Sequence, residues 1–174
     1  ENEEYVGNWM VIPIGLDQNF ISSLPCKYSF VTRTMVQRRL IPRKKFSHKG
    51  NFGHALLISG SYGKMGAAVL AASSCIRSGA GLTTVHIPKC GNDILQVTVP
   101  EVMTSIDESE HCISILPKTD KFNAIGIGPG IGLSKETQII IKLLIQASTV
   151  PLVIDADAIN ILSENKTWLS FIPK

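Results

Sequence analysis

With 174 residues, 44% of them apolar and 18% charged, the chain is long enough for one globular core and too short for a self-contained multidomain enzyme. Lys and Arg total 17 against 14 Asp and Glu, and the resulting formal charge of +3 is spread thinly, which argues against a nucleic-acid surface. The longest apolar runs, such as Gln138 to Gln146, are broken well short of the roughly 18 residues that a membrane span needs.

Residues 1 to about 47 read as extended arms or a linker. Short apolar pieces, Trp9 to Ile14 and Tyr28 to Val31, lie among Pro13, Pro25 and Pro42 with no sustained helical period. The basic stretch Arg38, Arg39, Arg43, Lys44, Lys45, His48 and Lys49 has no aromatic interleaving suited to base stacking and reads as a solvated face. Cys26, Cys75, Cys90 and Cys112 lie far apart with no zinc spacing, so reduced, cytosolic thiols are expected and no protein-held metal site. The start at Glu1 without a methionine, and the stop at Ile172-Pro173-Lys174 just after a strand-and-helix pattern, suggest a piece of a longer chain.

From Phe52 onward apolar strands alternate with helices, the signature of an open, mostly parallel α/β sheet. Ala55 to Ser59 is a short, continuously apolar strand. The turn Gly60 to Gly66 follows it, and an Ala-rich helix over Ala67 to Ser78 is closed by Gly79 and Gly81. Leu82 to Ile87 is the next strand, ended by Pro88. A short helix is expected over Gly91 to Val97, a return to the sheet over Pro100 to Thr104, and a polar loop over Asp107 to Asp120. Ala124 to Ile127 runs as a strand into Gly128-Pro129-Gly130-Ile131-Gly132, and Ser134 is placed to cap a helix from Lys135 to about Ala147. Pro151 to Ile154 is the last strand, with Asp155 to Asn160 at its C-terminal end.

Three strand ends therefore carry unusual residues, and in an open parallel sheet ligands bind outside those ends. Glycines there let backbone N–H groups approach an anionic ligand near helix N-termini. Gly60, Gly63 and Gly66 lack the tight G-x-G of a dinucleotide turn and no acidic residue closes the next strand, while Gly63-Lys64 is followed by Met65 rather than Ser or Thr, against a Walker A loop. Asp155 and Asp157, two apart, either share a cation or polarise a hydroxyl, or else one caps the helix and the other is solvated. His48, His54, His86 and His111 form no local cluster and read as surface or core-edge residues.

The ordered set His48-Lys49-Gly50, Gly53, Gly60-Ser61, Gly66-Ala67-Ala68, Leu70-Ala71-Ala72, Arg77-Ser78-Gly79-Ala80-Gly81-Leu82-Thr83, Pro100-Glu101, Gly128-Pro129-Gly130 and Asp155-Ala156-Asp157-Ala158-Ile159-Asn160 resembles the ADP/ATP-dependent NAD(P)H-hydrate dehydratases. The resemblance implies a ribokinase-like three-layer αβα sandwich with a mostly parallel central sheet, incomplete at its C-terminus. It divides the chain into residues 1–45, the end of an epimerase-like domain plus linker, and 46–174, the N-terminal part of the dehydratase domain. The implied reaction uses ADP or ATP with Mg2+ to phosphorylate the C6 hydroxyl of hydrated NADH or NADPH, and loss of phosphate restores the ring. Ala67 and Gly130 would contact the hydrated dinucleotide, Gly66 and Gly128 would shape the same wall, and Asp155, Asp157 and Asn160 would line the floor.

The same resemblance places the family's catalytic aspartate and most of its nucleotide site after Lys174, so this chain is expected to be inactive alone and to leave an unpaired sheet edge. It also implies a homo-oligomer, and the unpaired cysteines imply a cytoplasmic one. The competing readings are a ribokinase-like kinase of a hydroxymethylpyrimidine or thiazole alcohol, and a non-catalytic nucleotide-binding module. A Rossmann dehydrogenase is disfavoured by the missing ribose-binding acid.

Overall fold

The computed structural model describes residues 3–8, 10–40 and 42–172; Glu1, Trp9, Pro173 and Lys174, named above, lie outside them. The chain divides into two compact units, residues 1–43 and 44–174. The first is not simply extended, because it holds two short helices, α1 (Gln18–Ser23) and α2 (Arg33–Gln37). Each is nucleated by a cap: the Asp17 carboxylate accepts from the N–H groups of Asn19 and Phe20 at 2.7 and 3.1 Å, and Thr32 Oγ1 accepts from that of Met35 at 3.2 Å. Helices of one or two turns are too short to show a 3.6-residue apolar period, which is why the sequence pattern missed them.

The second unit is built in the order β1 (His54–Ile58), α3 (Met65–Arg77), β2 (Leu82–Ile87), α4 (Asn92–Thr98), β3 (Met103–Ile106), β4 (Ala124–Ile127), α5 (Lys135–Ala147), β5 (Leu152–Ile154) and α6 (Ala156–Glu164). The five strands lie in the order β3-β2-β1-β4-β5, and all four pairings are parallel. Residues 107–123 form the expected loop. The return to the sheet begins at Met103 rather than Pro100, whose missing N–H cannot join a ladder.

Side-chain alternation assigns the layers. Leu57 stands opposite Val85, and Val85 and Ile87 pack against Met65, Ala68 and Ala72 of α3 and Leu95 of α4. On the other face Leu56, Ile58, Ile125 and Ile127 meet Ile140, Ile141 and Leu144 of α5 and Ala158 and Ile161 of α6. The small side chains Ala68 and Ala72, both fully buried, let α3 lie close to the sheet. Helices on both faces of one parallel sheet make the three-layer α/β sandwich.

Strand order fixes where a ligand can sit. From β1 the chain winds outward through β2 to β3, then returns to the other side of β1 as β4 and continues to β5. The winding reverses between β1 and β4, and the C-terminal ends of two such strands are where an open parallel sheet places its ligands.

Candidate functional site

The two loops at that switch point are Ser59 to Lys64 and Gly128 to Gly132, and they are stitched together. Gly60 N–H donates to the Pro129 carbonyl at 2.9 Å, and the Ser61 hydroxyl donates to the Gly130 carbonyl at 2.7 Å. Gly128 N–H in turn donates to the Ile58 carbonyl at 3.2 Å. The third loop joins through Asp157: its Oδ2 accepts from Gly132 N–H at 2.9 Å and lies 3.3 Å from Lys64 Nζ. One carboxylate thus links the segments that follow β1, β4 and β5.

Two glycines are required by this packing. Gly128 and Gly130 have φ of +134° and +69°. A Cβ on Gly128 would overlap the Asp155 carbonyl, and one on Gly130 would lie 2.8 Å from the Ala67 Cβ and 2.9 Å from the Lys64 carbonyl oxygen. Gly66 is different. It lies in the first turn of α3 at an ordinary φ, is exposed, and a Cβ there would meet nothing within 4 Å. Glycine here costs helix stability without serving the chain's own packing. Ala67, half-buried next to it, packs against Gly130.

Asp155 occupies the N-cap position of α6, yet its side chain makes no capping hydrogen bond and is exposed. Ala156 is held at φ 47°, the one non-glycine residue with positive φ among those described. Strain of this kind persists where surrounding contacts over-determine the backbone, and here Asp157 supplies them. Asn160 is exposed one turn further along α6, three residues on from Asp157. Of the candidate residues, Ala67 thus lies against Gly130, the Asp155 backbone against Gly128, and Asp157 against Gly132 and Lys64, while Gly66 and Asn160 are exposed beside them on α3 and α6. Asp157 is an organiser of loops, not a solvated residue.

Sequence reasoning overlooked three features. Lys64, noticed only as a failed Walker lysine, is half-exposed and tied to Asp157, which leaves a cation at the N-terminus of α3 where an anionic group is favoured. The Ser59 hydroxyl is buried without a partner, the one such side-chain atom among the described residues. With Pro129 and Asp155 it lines a groove of about 500 Å3 that continues between α3 and the sheet past Leu57, Cys75, Gly126 and Val153.

The third is a buried pair. His86, 1% exposed, places Nε2 3.1 Å from Asp107 Oδ2 and Nδ1 3.0 Å from Ser105 Oγ. Burial, the dominant influence, pushes the His86 pKa below its ordinary 6.5 against the upward pull of Asp107. Burial also pushes Asp107 upward, but hydrogen bonds from Ser114, Ser109 and Ile115 outweigh it and hold the carboxyl below 3.8. The imidazole is thus neutral, donating from Nε2 to an ionised carboxylate and accepting from Ser105 at Nδ1. His86 was expected at the surface or the core edge; the alternation of β2 puts it inside, and only a neighbour from another strand makes that position tenable.

Glycine loops meeting at a switch point beside a lysine and a helix N-terminus suit a phosphate-bearing ligand, and comparison with known proteins narrows the assignment. A family model of the carbohydrate-kinase type, described as NAD(P)H-hydrate dehydratase, matches residues 55–173. The chain belongs to this family. It is 36% identical over 126 residues to an ADP-dependent (S)-NAD(P)H-hydrate dehydratase of Listeria monocytogenes, covering 71% of this chain and 45% of the relative. It is 31% identical over 172 residues to a bifunctional NAD(P)H-hydrate repair enzyme of Moorella thermoacetica, covering 94% of this chain and 32% of that protein.

Among solved structures, a ribokinase-like superfamily protein of Enterococcus faecalis superposes with a TM-score of 0.67 at 31% identity, over 78% of this chain and 48% of its own. The ADP/ATP-dependent NAD(P)H-hydrate dehydratase of Bacillus subtilis, crystallised with ATP and Mg2+, superposes at 0.64 and 28% identity, over 73% of this chain and 45% of its own. The fold is thus ribokinase-like, as the resemblance implied. The chain spans about half the length of the dehydratases it matches and about a third of the bifunctional enzyme.

Proposed function

We propose that this chain forms the substrate-binding half of an ADP- or ATP-dependent NAD(P)H-hydrate dehydratase and that the crevice between β1 and β4 receives the hydrated dinucleotide. The observation that carries the reading is the convergence of the β1, β4 and β5 loops on Asp157, beside a Gly66 surface that the chain's own packing leaves empty. Gly66, Ala67 and Gly130 form a close wall against which a flat ring can lie. Lys64 and the N-terminus of α3 favour the ligand's phosphates. Asp155, Asp157 and Asn160 face the reacting end from α6.

The relatives' names support a nucleoside di- or triphosphate as phosphoryl donor, with Mg2+ on its phosphates. When bound, the nucleotide would supply the phosphoryl group that turns the C6 hydroxyl of the hydrate into a phosphate leaving group. Mg2+ carried by phosphate oxygens needs only one or two protein carboxylates, and exposed Asp155 offers one at this crevice. The chain's own contribution is positioning and exclusion of water, which phosphoryl transfer needs most. Alone, this half binds without turning over.

The match to the bifunctional relative extends over almost the whole chain, which supports residues 1–45 as the end of an epimerase-like domain plus linker. Exposed Val11, Ile12, Ile14, Phe30 and Val31 in that segment are side chains that a larger domain would bury. The four cysteines are free, which supports a cytoplasmic protein; no helix among the described residues is long and apolar enough to cross a membrane. Assembly into homo-oligomers completes the proposal.

Recovery of NADH absorbance from its hydrate, with ADP or ATP and Mg2+ present, tests the reading. The expected result is no recovery by this chain alone and nucleotide-dependent recovery once it is joined to the complementary half of a dehydratase relative. A folded, joined protein that regenerates nothing would overturn it.

A further inference from the structure

We propose that Asp107 is a positioning residue for the crevice, acting through the loop 107–115 on the turn Gly60 to Lys64; the inference rests on the reading of that crevice as the dinucleotide site. Asp107 follows β3 directly, and its side chain is entirely buried. Its carboxylate accepts from the N–H groups of Ser109 at 2.8 Å, Ser114 at 2.8 Å and Ile115 at 3.0 Å, from the Ser114 hydroxyl, and from His86 Nε2. Three backbone donors from one nine-residue segment converge on one side chain, so the segment is wound around the carboxylate. His86, held by Ser105 on its other nitrogen, anchors the winding to β2.

Fastening the loop to the core does not require this arrangement. Ile113, fully buried, already plugs the loop into the cluster under α5, and its carbonyl accepts from Thr137 Oγ1 at 3.0 Å. What the carboxylate adds is direction. With the inward N–H groups turned toward Asp107, the carbonyls of Ser109, Glu110 and His111 turn outward and are used in succession. Ser109 accepts from Lys89 N–H at 3.0 Å, Glu110 from Cys90 N–H at 3.4 Å, and His111 from Tyr62 N–H at 2.8 Å.

The last of these bonds reaches the crevice. Tyr62 lies in the turn closed by Lys64 N–H donating to the Ser61 carbonyl at 2.8 Å, and its ring meets that of His111 edge-on at 4.8 Å. The turn is held by the β4 loop through Gly60 and Ser61, by α6 through Lys64, and by the 107–115 loop through Tyr62. Only the third hold depends on a buried charge. Asp107 thereby sets where Lys64 and the start of α3 stand without touching the ligand.

Amide hydrogen exchange and NADH titration of this chain, wild type against Asp107→Asn, test the inference. The variant keeps the side chain's size but turns an amide N–H2 toward converging donors. The expected result is faster exchange at the Tyr62 amide, with the β1 and β2 amides still protected, and a dissociation constant for NADH raised about tenfold. Unchanged Tyr62 exchange would overturn the inference, as would a uniform loss of protection across the strands, which would make Asp107 a general fold support. If Asp107→Asn does not fold, Ser114→Ala, which removes a single donor, is expected to show the same localised change more weakly, and no change there also counts against it. If the wild type fails to bind NADH, the dinucleotide reading of the crevice fails, while the exchange comparison still decides the coupling.

Discussion

At Gly66 the requirements of fold and function pull in opposite directions. A methyl group there meets open space, so Gly66→Ala should stabilise the first turn of α3 by up to about 1 kcal/mol and raise the melting temperature. The same methyl should weaken NADH binding, because it projects into the proposed wall. Higher stability with unchanged affinity would remove Gly66 from the site. His86 and Asp107 give a pH dependence with a definite sign. His86 has a folded pKa below 6.5, so the unfolded chain binds more protons as pH falls under that value. Its contribution is present above pH 6.5 and lost below it; that of Asp107 is present above 3.8 and lost as pH falls through its lower folded value. His86→Gln should therefore flatten the decline of the urea midpoint on going from neutral pH to pH 5, leaving the part due to His54, which burial and Lys121 also lower. An unchanged slope would contradict a neutral, buried His86. Neither Lys64 nor Asp107 was legible as a functional residue in the sequence, since each depends on a partner distant in the chain: Asp157 lies 93 positions from Lys64, and His86 lies 21 from Asp107.

The secondary-structure elements were far more legible than the contacts between them. Helix α5 begins and ends where the pattern places it, because the Ser134 hydroxyl accepts from Thr137 N–H at 3.3 Å and the apolar stripe Ile140, Ile141, Leu144 and Ile145 faces the sheet. Strands β2 and β4 likewise match their apolar runs, which a parallel strand buried on both faces displays directly. The loops read only as glycine-rich, since loop-on-loop packing has no sequence period. Gly130→Ala checks that packing. It forces a Cβ against Ala67 and the Lys64 carbonyl at a left-handed φ, so a loss of about 1–3 kcal/mol is expected in urea unfolding. A loss below about 0.5 kcal/mol would mean that the β1 and β4 loops are not pressed together.

For the second unit as a whole, the sheet's order carries the functional argument, and it was legible only in class. Alternating strands and helices predicted a parallel sheet, but the reversal between β1 and β4 is a tertiary fact. That sheet also ends on β5, a three-residue edge strand whose Val153 is 66% exposed beside the apolar groove. An uncovered apolar edge invites strand addition. Val153→Lys should lower the rate of self-association measured by light scattering while leaving the melting temperature within a few degrees. Unchanged scattering would mean that association runs through another surface. The most direct measurement of the central claim is calorimetric titration of NADH into this chain and into Ala67→Trp, whose indole would project over the proposed binding surface. Saturable binding by the wild type that is lost in a folded Ala67→Trp is the predicted result; equal binding by both, or none by the wild type, would contradict a dinucleotide site between β1 and β4.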